Sequence, residues 1–338
     1  MTSAQPSPPD STDGEPCLLL DPSRRTFLAS LGTMFAAAVG LASSASDAAQ
    51  YYYRVPEGSW PGSFRAAPPA PRINALTTEI EFYIKNMRQM GRIAANEQTA
   101  WLVYDFTTQQ YLAAINANRP YQSASMVKPF IALAFFHKVR EGRLQYTTFH
   151  RNRMEAMIQR SDNNATNYFI ELLNRTSRYS GPAEAEYTLK RNHPGIFRHT
   201  RIVERIPGGG RTYRNKASAL DYHRFLHALW YDQFPYSAEL KRLMNLPNRD
   251  RIYSDAYGVA RQTWVIDKTG TTARLCGDMG ILIAQGRNGY RYPYIFIGII
   301  EKARSANNYR TWINDRGNVI REVSSLAYNH MQQIHNLV

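Results

Sequence analysis

Apolar and polar positions divide this chain into stretches of different period. From Ile73 to about Ile93, Leu76, Ile80, Phe82, Tyr83, Met87 and Met90 recur at roughly helical spacing, which predicts a first helix. Two shorter runs follow, Thr99 to Phe106 and Gln110 to Ile115, and read as strands joined at Thr107-Thr108. Residues 128–175 read as helical, with Met154, Met157 and Ile158 ahead of Ser161 and Tyr168, Phe169, Leu172 and Leu173 behind it. Residues 176–215, interrupted by Pro194, Pro207 and Gly208-Gly209-Gly210, read as irregular. A helix returns at Ser218, with Leu220, Phe225, Leu226 and Leu229 as its apolar face. The last third is strand-like: Trp264 to Lys268, Met279 to Ala284, then an Arg287-Asn288-Gly289 turn into Tyr292 through Ile300. A helix from about Asn318 to Ile334 closes the chain. This order predicts an α+β domain in which a five-stranded antiparallel sheet is flanked by N- and C-terminal helices. An all-helical lobe, about residues 128–260, is inserted between the second and third strands.

The residues ahead of this pattern differ in kind. Residues 1–22 are polar and rich in Pro, Ser and Asp, too poor in apolar groups to fold alone. Ser23-Arg24-Arg25-Thr26-Phe27-Leu28 then leads into a mild apolar run, Phe27 to Ala42, short for a membrane span, followed by Ser43-Ser44-Ala45. Residues 1–45 resemble a twin-arginine export signal with a long polar start, its alternative being an uncleaved anchor. Residues 46–72, rich in Pro, Ser, Gly and aromatics, read as a linker and leave 73–338 as the folded domain. The signal implies the twin-arginine export machinery as a partner and a periplasmic or extracytoplasmic destination.

Composition narrows the picture further. At 338 residues and 43% hydrophobic, the chain can bury a sizeable core in one large domain or two closely packed lobes. Cys17 falls in the leader, so Cys276 has no partner for an intrachain disulfide or a Cys-based zinc site. Beyond residue 45, 39 basic residues stand against 23 acidic ones. They are scattered rather than blocked, so the expectation is a dispersed arginine-rich surface and no nucleic-acid partner.

The chemistry begins at Ser125-Met126-Val127-Lys128. A serine three residues ahead of a lysine, at the start of a helix, places both side chains on one face beside unpaired backbone N–H groups. Serine needs an adjacent base, and lysine serves when burial or a nearby cation lowers its pKa. Alone, the pattern also fits an ordinary capped helix. Ser161-Asp162-Asn163 and Lys268-Thr269-Gly270 follow in order, and with all three the chain resembles the class A β-lactamases and penicillin-binding proteins. The resemblance covers about residues 73–338 and implies the same α+β fold.

It also implies roles. Ser125 would be the nucleophile and Lys128 its base, and Ser161 would pass a proton to the departing nitrogen. Asn163 would line the site, with Asp162 structural. Lys268 and Thr269 would hold the substrate carboxylate, Lys268 also lowering the pKa of Lys128. Gly270 would let substrate lie against the strand, and the N–H groups of Ser125 and Thr271 would form the oxyanion hole.

Three departures from the family matter. No Glu-x-x-Leu-Asn string supplies a deacylating glutamate, and the best-placed candidate is Glu204, with pairing to Arg201 or Arg205 as its alternative. The interval from Ser125 to Ser161 is short, so the wall that carries an aromatic over the pocket is expected to be missing. The position that usually offers an arginine to the carboxylate is read as Met279, with Arg274 as substitute.

Other chemistries are disfavoured. His223-Arg-Phe-Leu-His227 lacks the glutamate of a zinc protease and reads as helix-surface histidine. No Gly-x-Ser-x-Gly elbow occurs, the triple glycine is not a phosphate loop, and Cys276 reads as a packing residue. No cofactor and no metal are expected. The reading is an exported serine hydrolase of class A β-lactamase type that opens β-lactams through an acyl-serine, expected as a monomer. The alternatives are a D-alanyl-D-alanine carboxypeptidase acting on peptidoglycan stem peptides, and a non-catalytic wall-binding protein.

Overall fold

The computed structural model describes residues 75–207 and 214–338. The leader, the linker and the triple glycine lie outside them. Helix α1 (Ala75–Gln89) leads into β1 (Glu97–Asp105), β2 (Gln110–Ile115) and the short β3 (Pro120–Gln122). A 3-10 turn (Ala124–Val127) opens the helical lobe: α2 (Lys128–Arg140), α3 (Thr148–Ile158), α4 (Asn163–Asn174) and α5 (Gly181–Asn192). Strand β4 (Lys216–Ser218) pairs with β3, and α6 (Ala219–Trp230) and α7 (Ser237–Met244) complete the lobe. The chain ends with β5 (Trp264–Thr272), β6 (Leu275–Gln285), β7 (Arg291–Lys302) and α8 (Tyr309–His335).

The main sheet has the order β2-β1-β7-β6-β5, every pair antiparallel. Its strands are apolar on both faces because both are covered. Leu102, Tyr104, Ile281, Ile295 and Ile297 face the lobe, while Trp101, Val103, Leu282, Tyr294 and Phe296 face α1 and α8. Strand β5 is left at the edge, and α2 is buried all round from Lys128 to Lys138, as a central helix must be. Pro129 suits the first turn of α2, where its missing N–H costs nothing. Side chains of Thr147, Asp162, Ser218 and Asn308 cap α3, α4, α6 and α8.

The differences from the expected elements have physical causes. Helix α5 lies in the stretch read as irregular, because its inward face carries a polar pair in place of an apolar stripe. Glu184 is buried against Lys138 of α2 at 2.7 Å. Helix α7 is only eight residues long, too short for a periodicity to register. Helix α8 begins nine residues earlier than expected, since its first turns dock through Trp312 and Arg316 onto the buried carboxylate of Glu97. No helix among the described residues is long and apolar enough to cross a membrane.

Candidate active site

The 3-10 turn sets the position of Ser125. From Tyr121 to Lys138 every residue is buried except Ser125, which is half-buried. Met126 behind it lies in a notch made by two glycines paired across β5 and β6. A Cβ on Gly270 would stand 2.9 Å from Met126 Cγ, and one on Gly277 2.8 Å from Met126 Cε. Gly270 therefore admits Met126. Ala124, next to the nucleophile, has φ 45°, a left-handed conformation that a non-glycine residue holds only under constraint.

Lys128 points to the start of α4. Its Nζ donates to Asn163 Oδ1 at 3.0 Å and lies 3.2 Å from Ser161 Oγ, with the Ser161 carbonyl oxygen as a third, shorter contact. Ser161 turns both oxygens inward because its backbone is left-handed, φ 59°. Asp162 faces away and caps α4 through Ala165 N at 2.6 Å, the structural role expected of it. Burial pushes the Lys128 pKa down to about 6, the charge of Lys268 adds to the effect, and Asp162 opposes it. A neutral amine has two N–H donors and one lone pair. The three contacts match that count if Ser161 donates its hydroxyl proton to the lone pair.

Lys268 is 2% exposed, its pKa lowered chiefly by burial, while Asp267 and Asp278 favour its charge. Thr269 and Thr271 are half-exposed along the edge strand. The guanidinium that reaches this strand belongs to Arg251, whose Nη2 donates to Thr271 Oγ1 at 2.8 Å and Nη1 to the Gly277 carbonyl at 3.1 Å. Its backbone N–H is held by Asp278 at 2.6 Å. Arg274 sits in the β5–β6 hairpin turn, its backbone bonded to Thr272 Oγ1 and to Lys302 N. The substitute arginine read from the sequence is thus displaced by Arg251, and Met279 is fully buried in the core. Nothing in the sequence marks Arg251, because a loop with its own buried hub, Asp250, delivers it. Asp250 accepts the N–H groups of Ile252, Tyr253 and Ser254.

The loop expected to supply the deacylating base is tied down at two points. Asn215 accepts from Val203 N and Glu204 N, donates to the Glu204 carbonyl, and its own carbonyl receives Ser123 N at 2.9 Å. Asn167, one turn along α4 from Asn163, donates to the Ile206 carbonyl at 2.7 Å and accepts from Ile206 N at 2.9 Å. The residue clamped beside the site is therefore Ile206, which is 5% exposed. The Glu204 carboxylate accepts the Arg214 N–H at 2.8 Å, so it braces its own loop. Arg201 and Arg205 pair with Glu186 and Glu171. Asn167 could have been suspected from its i+4 spacing to Asn163, but Asn215 carries no such signal.

The histidine reading also changes. His223 is buried rather than on the surface, with Nδ1 3.2 Å from Tyr111 OH and its ring against Tyr104. The Cys276 thiol is buried over the Ile313 carbonyl, in line with a packing role. Among the described residues no group of three or more His, Cys, Asp or Glu is placed to hold a metal.

One family model, described as the beta-lactamase enzyme family, matches residues 83–151 and 150–331. The chain belongs to that family. Among solved structures of this fold, a PBP-A mutant captured as an acyl-enzyme complex with penicillin G is 20% identical. It has a TM-score of 0.61, with 78% of this chain and 99% of that one covered. The class A β-lactamase of the last common ancestor of Gram-negative bacteria is 18% identical, with a TM-score of 0.58 and coverage of 76% and 99%. At such identities the likeness concerns the fold. No curated protein matches this chain by sequence.

Within this family frame, the residues brought together are Ser125, Lys128, Ser161, Asn163, Lys268, Thr269 and Thr271. The Glu204 carboxylate is engaged with the Arg214 N–H, and Arg274 sits in the β5–β6 turn.

Proposed function

We propose that this beta-lactamase-family chain is a serine acyl-transferase of the penicillin-binding, wall-peptidase type, one that acylates readily and releases its acyl group slowly. The observation that carries this reading is Ile206. The two-point clamp by Asn167 sets an apolar residue beside the start of α4, where hydrolysis of an acyl-serine calls for a group able to activate water.

In this reading acylation draws on Ser125, Lys128 and Ser161. Ser125 Oγ attacks the amide carbonyl as the Ser161 hydroxyl turns away from the Lys128 lone pair, which then takes the Ser125 proton. The C–N bond then breaks. The Ser161 hydroxyl gives its proton to the leaving nitrogen and recovers one from Lys128. Lys268, Thr269 and Arg251 form the cationic, hydrogen-bonding end that suits a substrate carboxylate. A peptide ending in a free carboxylate and a β-lactam both meet these requirements.

Intact mass measured over time after mixing with penicillin G tests the reading. The expected result is a penicilloyl adduct on Ser125 that persists for many catalytic lifetimes. Rapid return of unmodified protein with hydrolysed penicillin would put the β-lactamase reading in its place, and the absence of any adduct would favour a non-catalytic binder.

A further inference from the structure

Outside this site, the helical lobe carries an arginine held in an unusual way. Arg153 of α3 lies in the corner between two rings, with its guanidinium carbon 4.9 Å from the centre of Phe149 and 4.6 Å from that of Tyr168. The rings meet edge-on, 5.8 Å apart at 79°. Tyr168 is fixed in turn by its hydroxyl, 3.3 Å from His150 Nε2. The Nε of Arg153 is buried with no acceptor, and among the described residues the side chain has no hydrogen bond or ion pair.

Neighbouring charges do not share this condition. Glu155 and Glu239 are committed to Arg151 and Arg242. Phe149, which closes the corner, is 53% exposed, an uneconomical place for a large ring unless it holds something. Two residues past the end of α3, the exposed Arg160 immediately precedes Ser161. Arg160 likewise makes no hydrogen bond or ion pair among the described residues.

We propose that the Phe149–Arg153–Tyr168 corner is an oxyanion-binding subsite for a linear anionic polymer that runs past Arg160 toward the mouth of the acylation site. The ligand groups are carboxylates or phosphates. The rings restrict the guanidinium so that little rotamer freedom is lost on binding, and its outer edge offers a fork that matches either oxyanion. A lysine in the same place would offer a point charge without the stack.

The test measures the affinity of the whole protein for poly-L-glutamate and for linear polyphosphate at one fixed salt concentration, with variants alongside. The two polymers separate a carboxylate from a phosphate ligand. Arg153→Gln and Arg153→Lys are each expected to weaken binding of the preferred polymer at least about tenfold. Arg178→Gln, which removes an exposed arginine above a single ring, is expected to change it less than about twofold. Phe149→Ala keeps the charge and is expected to lose more than Arg178→Gln, which covers the case in which Arg153 variants fold poorly. Acylation of Ser125 by penicillin G should be the same in all of them, so this subsite and the proposed reaction fail independently. No binding of either polymer, or equal losses for Arg153→Gln and Arg178→Gln, would overturn the proposal.

Discussion

The two sides of the Ser125 cleft are built on opposite plans. On one side, α2, the start of α4 and the edge strand β5 converge on buried polar groups: a lysine with its contacts at Ser161 and Asn163, and a second lysine flanked by aspartates. On the other side, the 203–206 loop is pinned by two asparagines, and the residue held next to α4 is a buried isoleucine. Both sides are equally well anchored, so the contrast is not between order and looseness. It is between a surface equipped to move protons and one that has none to offer. That contrast is the basis of the slow release proposed above.

Removing the equipped side should have the largest effect. Lys128→Ala is expected to slow acylation by penicillin G about a thousandfold, read as the rate of adduct formation by mass. The same lysine predicts the pH profile. Its pKa is lowered to about 6, so the amine is protonated and inactive below that value and free above it. Acylation should rise through pH 6 and level off. A midpoint near the ordinary lysine value would contradict the burial argument. Equipping the bare side comes next. Ile206→Glu should speed adduct release about a hundredfold with acylation little changed, and unaltered release would show that the clamped residue does not face the ester. The smallest effect is expected at Glu204. Glu204→Gln exchanges a charged acceptor for a neutral one on Arg214 N, and release should change by less than about twofold.

Much of this was readable in the chain, and the reasons are uneven. The sheet and its flanking helices were legible because strands covered on both faces give long apolar runs, and because Gly289 marks the last hairpin with φ 82°. Helix α5 was not, since Glu184 occupies a position that periodicity expects to be apolar. The acylating residues were legible as three short motifs whose spacing reflects helix and strand geometry. Arg251 was not, because it reaches Thr271 from a loop folded around Asp250. Glu204 was singled out for its charge, while the decisive neighbour is uncharged and held by its backbone. A search for titratable side chains passes over a position whose importance lies in lacking one.

The burial of α2 on all sides has a further consequence. The helix that carries Lys128 is also the hydrophobic axis of the lobe, so the dryness that packs the molecule is what lowers the pKa of its amine. Water admitted along that axis would return the amine to its ordinary, charged state long before the chain came apart. Under the proposed reaction, the rate of acylation by penicillin would gauge how well the interior is sealed.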